Sequence, residues 1–490
     1  MISKLENQFN INYPESNKAT YTSLLNYSND LDTSFQRWYR YKEGYSIELV
    51  KDIIKKYNKY DNGIIMDPFV GSGTTLLAAN EMKLDSYGFE VNPFSYFLTK
   101  CKTQIYTKKE IEEFENKILL IVDKNNLDNE YELPKLSISS KVFEKNIETY
   151  MMNVKKRIDD IHNEKVRSLF LIGWLSAIEI FSNYRKSGNG LKIRKNKIKI
   201  EQSIEDVNKY LKDKYLQILT DIKNSKIETK VNVINDSSLQ IDKYIEDNTI
   251  SGIIYSPPYA NCFDYTEIYK LELWFGNFVE EYSDLKKLRN KTIRLHLNSL
   301  LDENKFSIEH SEVLNRQIEK LNEKKLWDKK IPTMLKNYFN DMFKIIDYSY
   351  LKLKKDGFCA IVVGNSCYGG VIIPSDLILA KYASEKGFYV DKIDVYRYII
   401  PSSQQYKDVL NEKKFLRESV ICLVKKSIET DNLPLDNKLG AIYSINQSSV
   451  NSYTHGFFKY PCKFIPEIPR WAIKKYVKDK DESILESIHW

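Results

Sequence analysis

The sequence predicts an α/β chain: an open, mostly parallel sheet of seven strands, ending in an antiparallel hairpin strand and carrying helical insertions. Three observations support this. Apolar runs of strand length recur between residues 63 and 425 and alternate with helical patterns. Two of these runs, 63–66 and 252–255, lead directly into Asp67-Pro68-Phe69-Val70-Gly71-Ser72-Gly73-Thr74-Thr75 and Ser256-Pro257-Pro258-Tyr259. Glycines and a proline pair at the carboxyl ends of such strands lie where an open α/β sheet holds its ligands. A cofactor cradle and a small polar pocket for a flat substrate are therefore expected.

Residues 1–33 are polar and weakly patterned, and read as a loose amino-terminal arm. The aromatic and basic stretch 35–45 follows, placed either to wall a pocket or to cap the sheet edge. Ser46 suits an N-cap, with Ile47, Leu49, Val50, Ile53 and Ile54 at helical spacing behind it. Residues 63–83 read as strand, glycine turn and helix. Gly71 and Gly73 remove side chains where a ligand must approach the backbone, and Thr74 and Thr75 begin a helix whose free amides favour a carboxylate. The next strand, 86–89, ends at Glu90 and is followed by Val91-Asn92-Pro93. An acid about 20 positions beyond the glycines can accept hydrogen bonds from both hydroxyls of a ribose. Together these features indicate a nucleoside-bearing cofactor.

Long helical patterns then interrupt the alternation. An apolar helix beginning at 169–175 leads into a stretch, 185–199, with seven Lys or Arg and no acid. Its cations Arg185, Lys186, Lys192, Arg194 and Lys195 are candidates for phosphate contact, with a solvated loop as the alternative. The strand 231–235 ends at Asp236, which suits either a helix cap or a cofactor contact. After Tyr259 a short helix is expected over 264–274, and 283–330 is charged and helical, with Lys286, Lys287, Arg289, Lys291 and Arg294 as a second basic group. A helix over 334–353, a buried strand over 357–365, a helix over 374–386 and strands over 389–398 and 418–425 complete the pattern.

Composition sets broader limits. With 490 residues, 42% hydrophobic and 29% charged, the chain has length for two or three domains and an ordinary globular balance. A net charge of +7 permits nucleic-acid binding without arguing for it. The six cysteines are scattered with no C-x-x-C pair, so neither a zinc site nor a disulfide framework is expected. The amino terminus lacks a signal-peptide core, and no stretch of about 18 uncharged apolar residues suggests a membrane span. A cytoplasmic protein without metal or membrane association is the expectation.

With both motifs in view, the chain resembles the S-adenosylmethionine-dependent DNA amino-methyltransferases, whose fold is Rossmann-like. Asp67 to Thr75 looks like their cofactor motif and Ser256-Pro257-Pro258-Tyr259 like their catalytic motif, with similarity over 35–105 and 230–425. The resemblance implies S-adenosyl-L-methionine as cofactor and double-stranded DNA as partner. It places Asp67, Pro68, Phe69, Gly71, Gly73, Thr74, Glu90, Asn92 and Asp236 around the cofactor, with Tyr41 and Ser46 matching an additional cofactor motif more loosely. It makes Ser256, Pro257, Pro258 and Tyr259 catalytic. The Ser256 hydroxyl and Pro257 carbonyl would accept hydrogen bonds from both hydrogens of an exocyclic amine, and Tyr259 would stack on an extruded base. Ser at the first position favours cytosine N4 over adenine N6. An RNA target and a non-catalytic DNA-recognition subunit are the remaining alternatives. The carbon-5 chemistry, which needs a thiolate, finds only Cys462, at the wrong end of the chain.

Two features depart from the family pattern. The cofactor motif precedes the catalytic one, leaving 101–230 and 283–330 as two candidates for target recognition. The tail stretch 453–471 looks like another cofactor-motif lead-in with no such motif after it. It suits either a split system docking on a second methyltransferase chain or a local cap, and a cognate restriction endonuclease is a further implied partner. The expected division is an arm (1–33), the first part of the catalytic domain (34–105), a helical and basic insertion (106–230), the catalytic-motif part (231–282), a charged helical insertion (283–332), the remaining domain (333–428) and the tail (429–490).

Overall fold

A computed structural model describes residues 1–426 apart from 16–24, 26–29, 43, 126, 189, 195–202, 298, 304 and 400–409. Its central sheet has eight strands: β1 Ile11–Asn12, β2 Ile64–Asp67, β3 Asp85–Phe89, β4 Val231–Ile234, β5 Ile250–Tyr255, β6 Leu353–Gly364, β7 Tyr389–Tyr398 and β8 Arg417–Val424. They lie in the order β1-β7-β8-β6-β5-β2-β3-β4. Every pairing is parallel except those of β8, which runs against both β6 and β7. The α/β class, the mostly parallel sheet and the antiparallel closing strand agree with expectation.

The eighth strand is a correction to the expected seven. Ile11–Asn12 lies in the segment read as a loose arm, and pairs in parallel with Ile393 and Asp394 at the sheet edge. Two residues have no periodicity to detect. A buried ion network holds this segment down: Arg417 donates to Glu6 Oε1 and Asp376 Oδ2, each at 2.7 Å, with its side chain fully buried. Covering an edge in this way also blunts its unpaired backbone groups.

The interior strands are apolar on both faces, as parallel strands between two helical layers require. Ile65, Ile254, Phe358, Ala360 and Val362 pack towards the helices Ile47–Tyr57 and Thr74–Glu81. Met66, Ile253, Tyr255, Cys359, Ile361 and Val363 face the opposite core, including the helix Ile331–Lys352. This alternation is the two-residue period of a pleated strand.

Chain order places the site. From β2 the sheet grows one way through β3 and β4, whereas β5 lies on the other side of β2, with Ile65 opposite Gly252 and Met66 opposite Ile253. The strand order therefore reverses between β2 and β5, opening a crevice at their carboxyl ends, the ligand site of doubly wound sheets.

The insertion after β3 packs the helices Lys108–Ile121, Lys145–Asp159, Glu164–Phe181 and Ile204–Lys223 into the same core. Buried Asp221 joins them to the domain by accepting from the Phe35 amide (3.0 Å), the Arg37 guanidinium (2.6 Å) and Trp38 Nε1 (2.8 Å). Among the described residues no helix is long and apolar enough to cross a membrane.

Candidate active site

β2 ends at Asp67, whose buried carboxylate accepts from the Phe69 amide (2.9 Å) and the Tyr45 hydroxyl (3.0 Å). Burial pushes that carboxyl up to about 6, against the hydrogen bonds of Thr75, Phe69 and Tyr45. Asp67 thus shapes the turn from beneath. Gly71 and Gly73 have φ of +52° and +88°, left-handed values that favour glycine. A Cβ on Gly71 would also lie 3.3 Å from the Tyr41 ring. Gly73 is the N-cap of Thr74–Glu81 and has no side chain, so the first-turn amides remain open to a ligand.

At the end of β3 the Glu90 carboxylate accepts from the amides of Gly71 (3.0 Å) and Asn92 (2.8 Å). Burial pushes its carboxyl up to about 7, partly offset by those amides. Asn92 caps the helix Pro93–Thr103 through Oδ1, while its buried Nδ2 has no partner. Pro68, Phe69, Gly71, Thr74, Glu90, Asn92, Asp236 and Tyr41 line one cavity together. Asp67, Gly73 and Ser46 do not; Ser46 caps Ile47–Tyr57 by accepting from the Glu48 amide (3.2 Å). Asp236 accepts from the Ser237 amide and the Tyr244 hydroxyl, each at 2.8 Å; burial raises its carboxyl, but these bonds and nearby lysines leave it lowered.

Sequence reasoning missed two parts of this site. Ile293, Leu295 and His296, from the charged insertion, wall the same cavity. The Ile293 and Leu295 pair inside a charged segment was the available signal. Beneath the glycine turn, fully buried Lys102 donates to the Ser72 carbonyl (3.1 Å) and Gln36 Oε1 (3.2 Å), and burial pushes its ammonium down to about 7. A lysine on the helix Pro93–Thr103 reads as a solvated face, so nothing in the pattern marked it.

The second motif leaves β5 beside this cavity. Of its four residues Ser256 alone lines both this cavity and a second, polar one, which also includes Pro257 and Tyr259; Pro258 lines the first. Tyr259 lies over Gly364 at the end of β6, where a Cβ would come within 2.9 Å of its ring. The Ser256 hydroxyl donates to the Tyr259 hydroxyl at 3.4 Å, which in turn donates to Glu418 on β8. Arg397 on β7 pairs with the same carboxylate.

The basic stretch forms a hairpin, Tyr184–Ser187 with Gly190–Ile193, beside the second cavity. Its cations divide in two. Lys186, proposed from sequence as a phosphate contact, is buried: Nζ donates to Glu272 Oε1 at 2.6 Å and to the Tyr39 hydroxyl, with the two charged side chains 4% and 1% exposed. Arg194 donates to the carbonyls of Glu179 (2.6 Å) and Tyr184 (3.3 Å), tying the hairpin to its helix. Arg185 and Lys192 are exposed, and Lys195 lies outside the described residues. In the second basic group Arg289 pairs with Asp264 and Glu267, and Arg294 with Asp341 and Asp302. The tail stretch 453–471 and Cys462 also lie outside the described residues. Among the described residues no cluster of His, Cys, Asp or Glu could hold a metal ion.

Comparison with known proteins bears on what this crevice serves. A DNA methylase family model matches residues 5–100, which include the glycine turn and Glu90. The chain is 29% identical over 438 residues to the Type II methyltransferase M.BsoBI of Geobacillus stearothermophilus, covering 80% of this chain and 85% of that one. These matches support reading the chain as an S-adenosylmethionine-dependent DNA amino-methyltransferase of the N4/N6 class. The chain is also 29% identical over 393 residues to the Type II methyltransferase M.AvaI of Nostoc sp., covering 73% of this chain and 80% of that one. Over a shorter span of 144 residues, 27% of this chain and 26% of the relative, it is 33% identical to the Type II methyltransferase M.MjaII of Methanocaldococcus jannaschii. The first cavity suits S-adenosylmethionine chemically: a buried carboxylate for hydroxyls, an unpartnered amide donor at Asn92, open helix amides and a wall lacking a Cβ at Gly71.

Proposed function

We propose that this chain methylates the exocyclic N4 amine of a cytosine extruded from double-stranded DNA, at a specific sequence, within a restriction-modification system. One observation carries the reading: Ser256 stands in the wall shared by the cofactor cavity and the polar cavity. A group there faces donor and acceptor together, as direct transfer requires.

When bound, S-adenosylmethionine supplies an electrophilic methyl on sulfur. Glu90 would accept hydrogen bonds from its ribose hydroxyls, Asp236 would contact its adenine, and Gly71 and the amides at Thr74 would receive its methionine part. Phe69 and Tyr41 would pack against it. An amine conjugated with its ring is a poor nucleophile, so the acceptor must be prepared as well. Ser256 directs its hydroxyl hydrogen towards Tyr259, whose hydroxyl donates a hydrogen bond to Glu418. That orientation leaves the Ser256 oxygen lone pairs to accept one amine hydrogen. The Pro257 carbonyl, held by two prolines, takes the other. Both bonds favour a pyramidal nitrogen with its lone pair towards the methyl donor. The Tyr259 face supports the extruded base.

Ser at position 256 favours cytosine over adenine N6, and likeness to Type II methyltransferases supports the restriction-modification setting. Incubation with labelled cofactor and DNA, followed by mass spectrometry of the nucleosides, tests the reading; N4-methylcytosine is expected. N6-methyladenine would replace the base assignment, and transfer to RNA alone would refute the DNA substrate. Ser256→Ala should lower transfer by at least about a hundredfold and leave cofactor affinity within about twofold. Unchanged turnover would mean that the acceptor pocket lies elsewhere.

A further inference from the structure

The turn that follows the helix Glu312–Asn322 carries Lys324-Lys325-Leu326-Trp327-Asp328-Lys329-Lys330. All four lysines are exposed, and the Trp327 side chain is 68% exposed, matched among the described large apolar side chains only by Leu300. An indole held in water forfeits the burial that normally stabilises tryptophan, so its place needs a reason. Leu326 anchors the turn: it packs into the main core, and its Cδ2 lies 3.1 Å from where a Cβ on Gly369 would be. Gly369 and Gly370, both at positive φ, turn the hairpin Ser366–Tyr368 with Val371–Ile373.

That hairpin joins the turn to the acceptor pocket. The Tyr368 hydroxyl donates to the Ala260 carbonyl at 2.8 Å and lies 3.4 Å from Cys262 Sγ. Between Ala260 and Cys262 is Asn261, which lines the polar cavity with Ser256, Pro257 and Tyr259. The anchored turn is therefore linked, through this hairpin, to the segment that continues the catalytic motif. Asp328, the one acid between the lysine pairs, accepts from the Lys330 amide at 2.7 Å.

We infer that residues 324–330 form a DNA-contacting surface, in which Trp327 stacks on a base next to the extruded one and the four lysines neutralise backbone phosphates. This rests on the proposed action on duplex DNA. An aromatic face is sequence-tolerant towards bases, and lysines on both sides of it meet the two flanking stretches of backbone. Stacking at the gap would offset the unstacking that base extrusion costs.

The test uses a duplex that the wild-type chain methylates, with binding measured over a salt series. Changing all four lysines to alanine should reduce the slope of log affinity against log salt by about 0.9 for each phosphate that is no longer neutralised. Trp327→Ala should weaken duplex binding by about tenfold. That effect should shrink when the target base is already mismatched, and cofactor affinity should stay unchanged. Wild-type affinity and slope in both variants would overturn the inference. So would a change in oligomeric state with DNA affinity intact, which would make Trp327 a protein contact. Absence of wild-type transfer to DNA would instead remove the underlying function.

Discussion

Glu90 is the residue on which pH dependence should turn. Its carboxyl is pushed up to about 7 by burial, from the ordinary value of 4.5. If the ionised form receives the cofactor, affinity should fall by about tenfold for each pH unit below 7. Calorimetric titration at pH 6, 7 and 8 checks this, and Glu90→Gln should flatten the profile. Folding follows with its own sign. A carboxyl raised in the folded state binds more protons there than in the unfolded chain between 4.5 and 7, so stability is lost as pH rises through that window. Without cofactor, Glu90→Gln should gain about 2–3 kcal/mol relative to wild type between pH 5 and pH 8, read by urea unfolding. Stability differences that do not change with pH would show that the carboxyl is not perturbed.

Among the elements, the basic hairpin separates charge that supports structure from charge open to a partner. Breaking the buried pair at Lys186 leaves the Glu272 carboxylate without its cation. Lys186→Ala should therefore cost about 3–5 kcal/mol in unfolding experiments. Arg185→Ala and Lys192→Ala should leave stability within about 0.5 kcal/mol. If the hairpin touches the DNA backbone, each should lower the salt slope of duplex binding by about 0.9. A stable Lys186→Ala variant, or unchanged slopes for the exposed pair, would refute this division. Sequence spacing could not make it, because a run of cations looks the same whether a side chain points to water or to a buried carboxylate.

Across the whole molecule, the segment before residue 16 acts as part of the sheet. Glu6 bonds Arg417 and Lys414, and Arg417 is adjacent in β8 to Glu418, the acceptor for Tyr259. Glu6→Ala should destabilise the chain by about 3 kcal/mol, because it removes a partner from a fully buried guanidinium. Thermal unfolding of wild type and variant checks it; equal stability would make the segment peripheral.

Amino-acid order was enough to specify most of the strands, the two turns and the chemistry they suggest. Asp67, Gly71, Gly73 and Ser256-Pro257-Pro258-Tyr259 were legible because backbone angle, ring constraint and apolar run length act over a few residues. Which distant segments share a wall was settled by tertiary packing. It set β5 against β2, brought Glu418 to Tyr259, turned Ile293 and Leu295 onto the cavity at the glycine turn, buried Lys102 and Lys186, and left Trp327 in water. Those outcomes depend on packing and desolvation between elements far apart in the chain, and neither leaves a periodic trace in the amino-acid order.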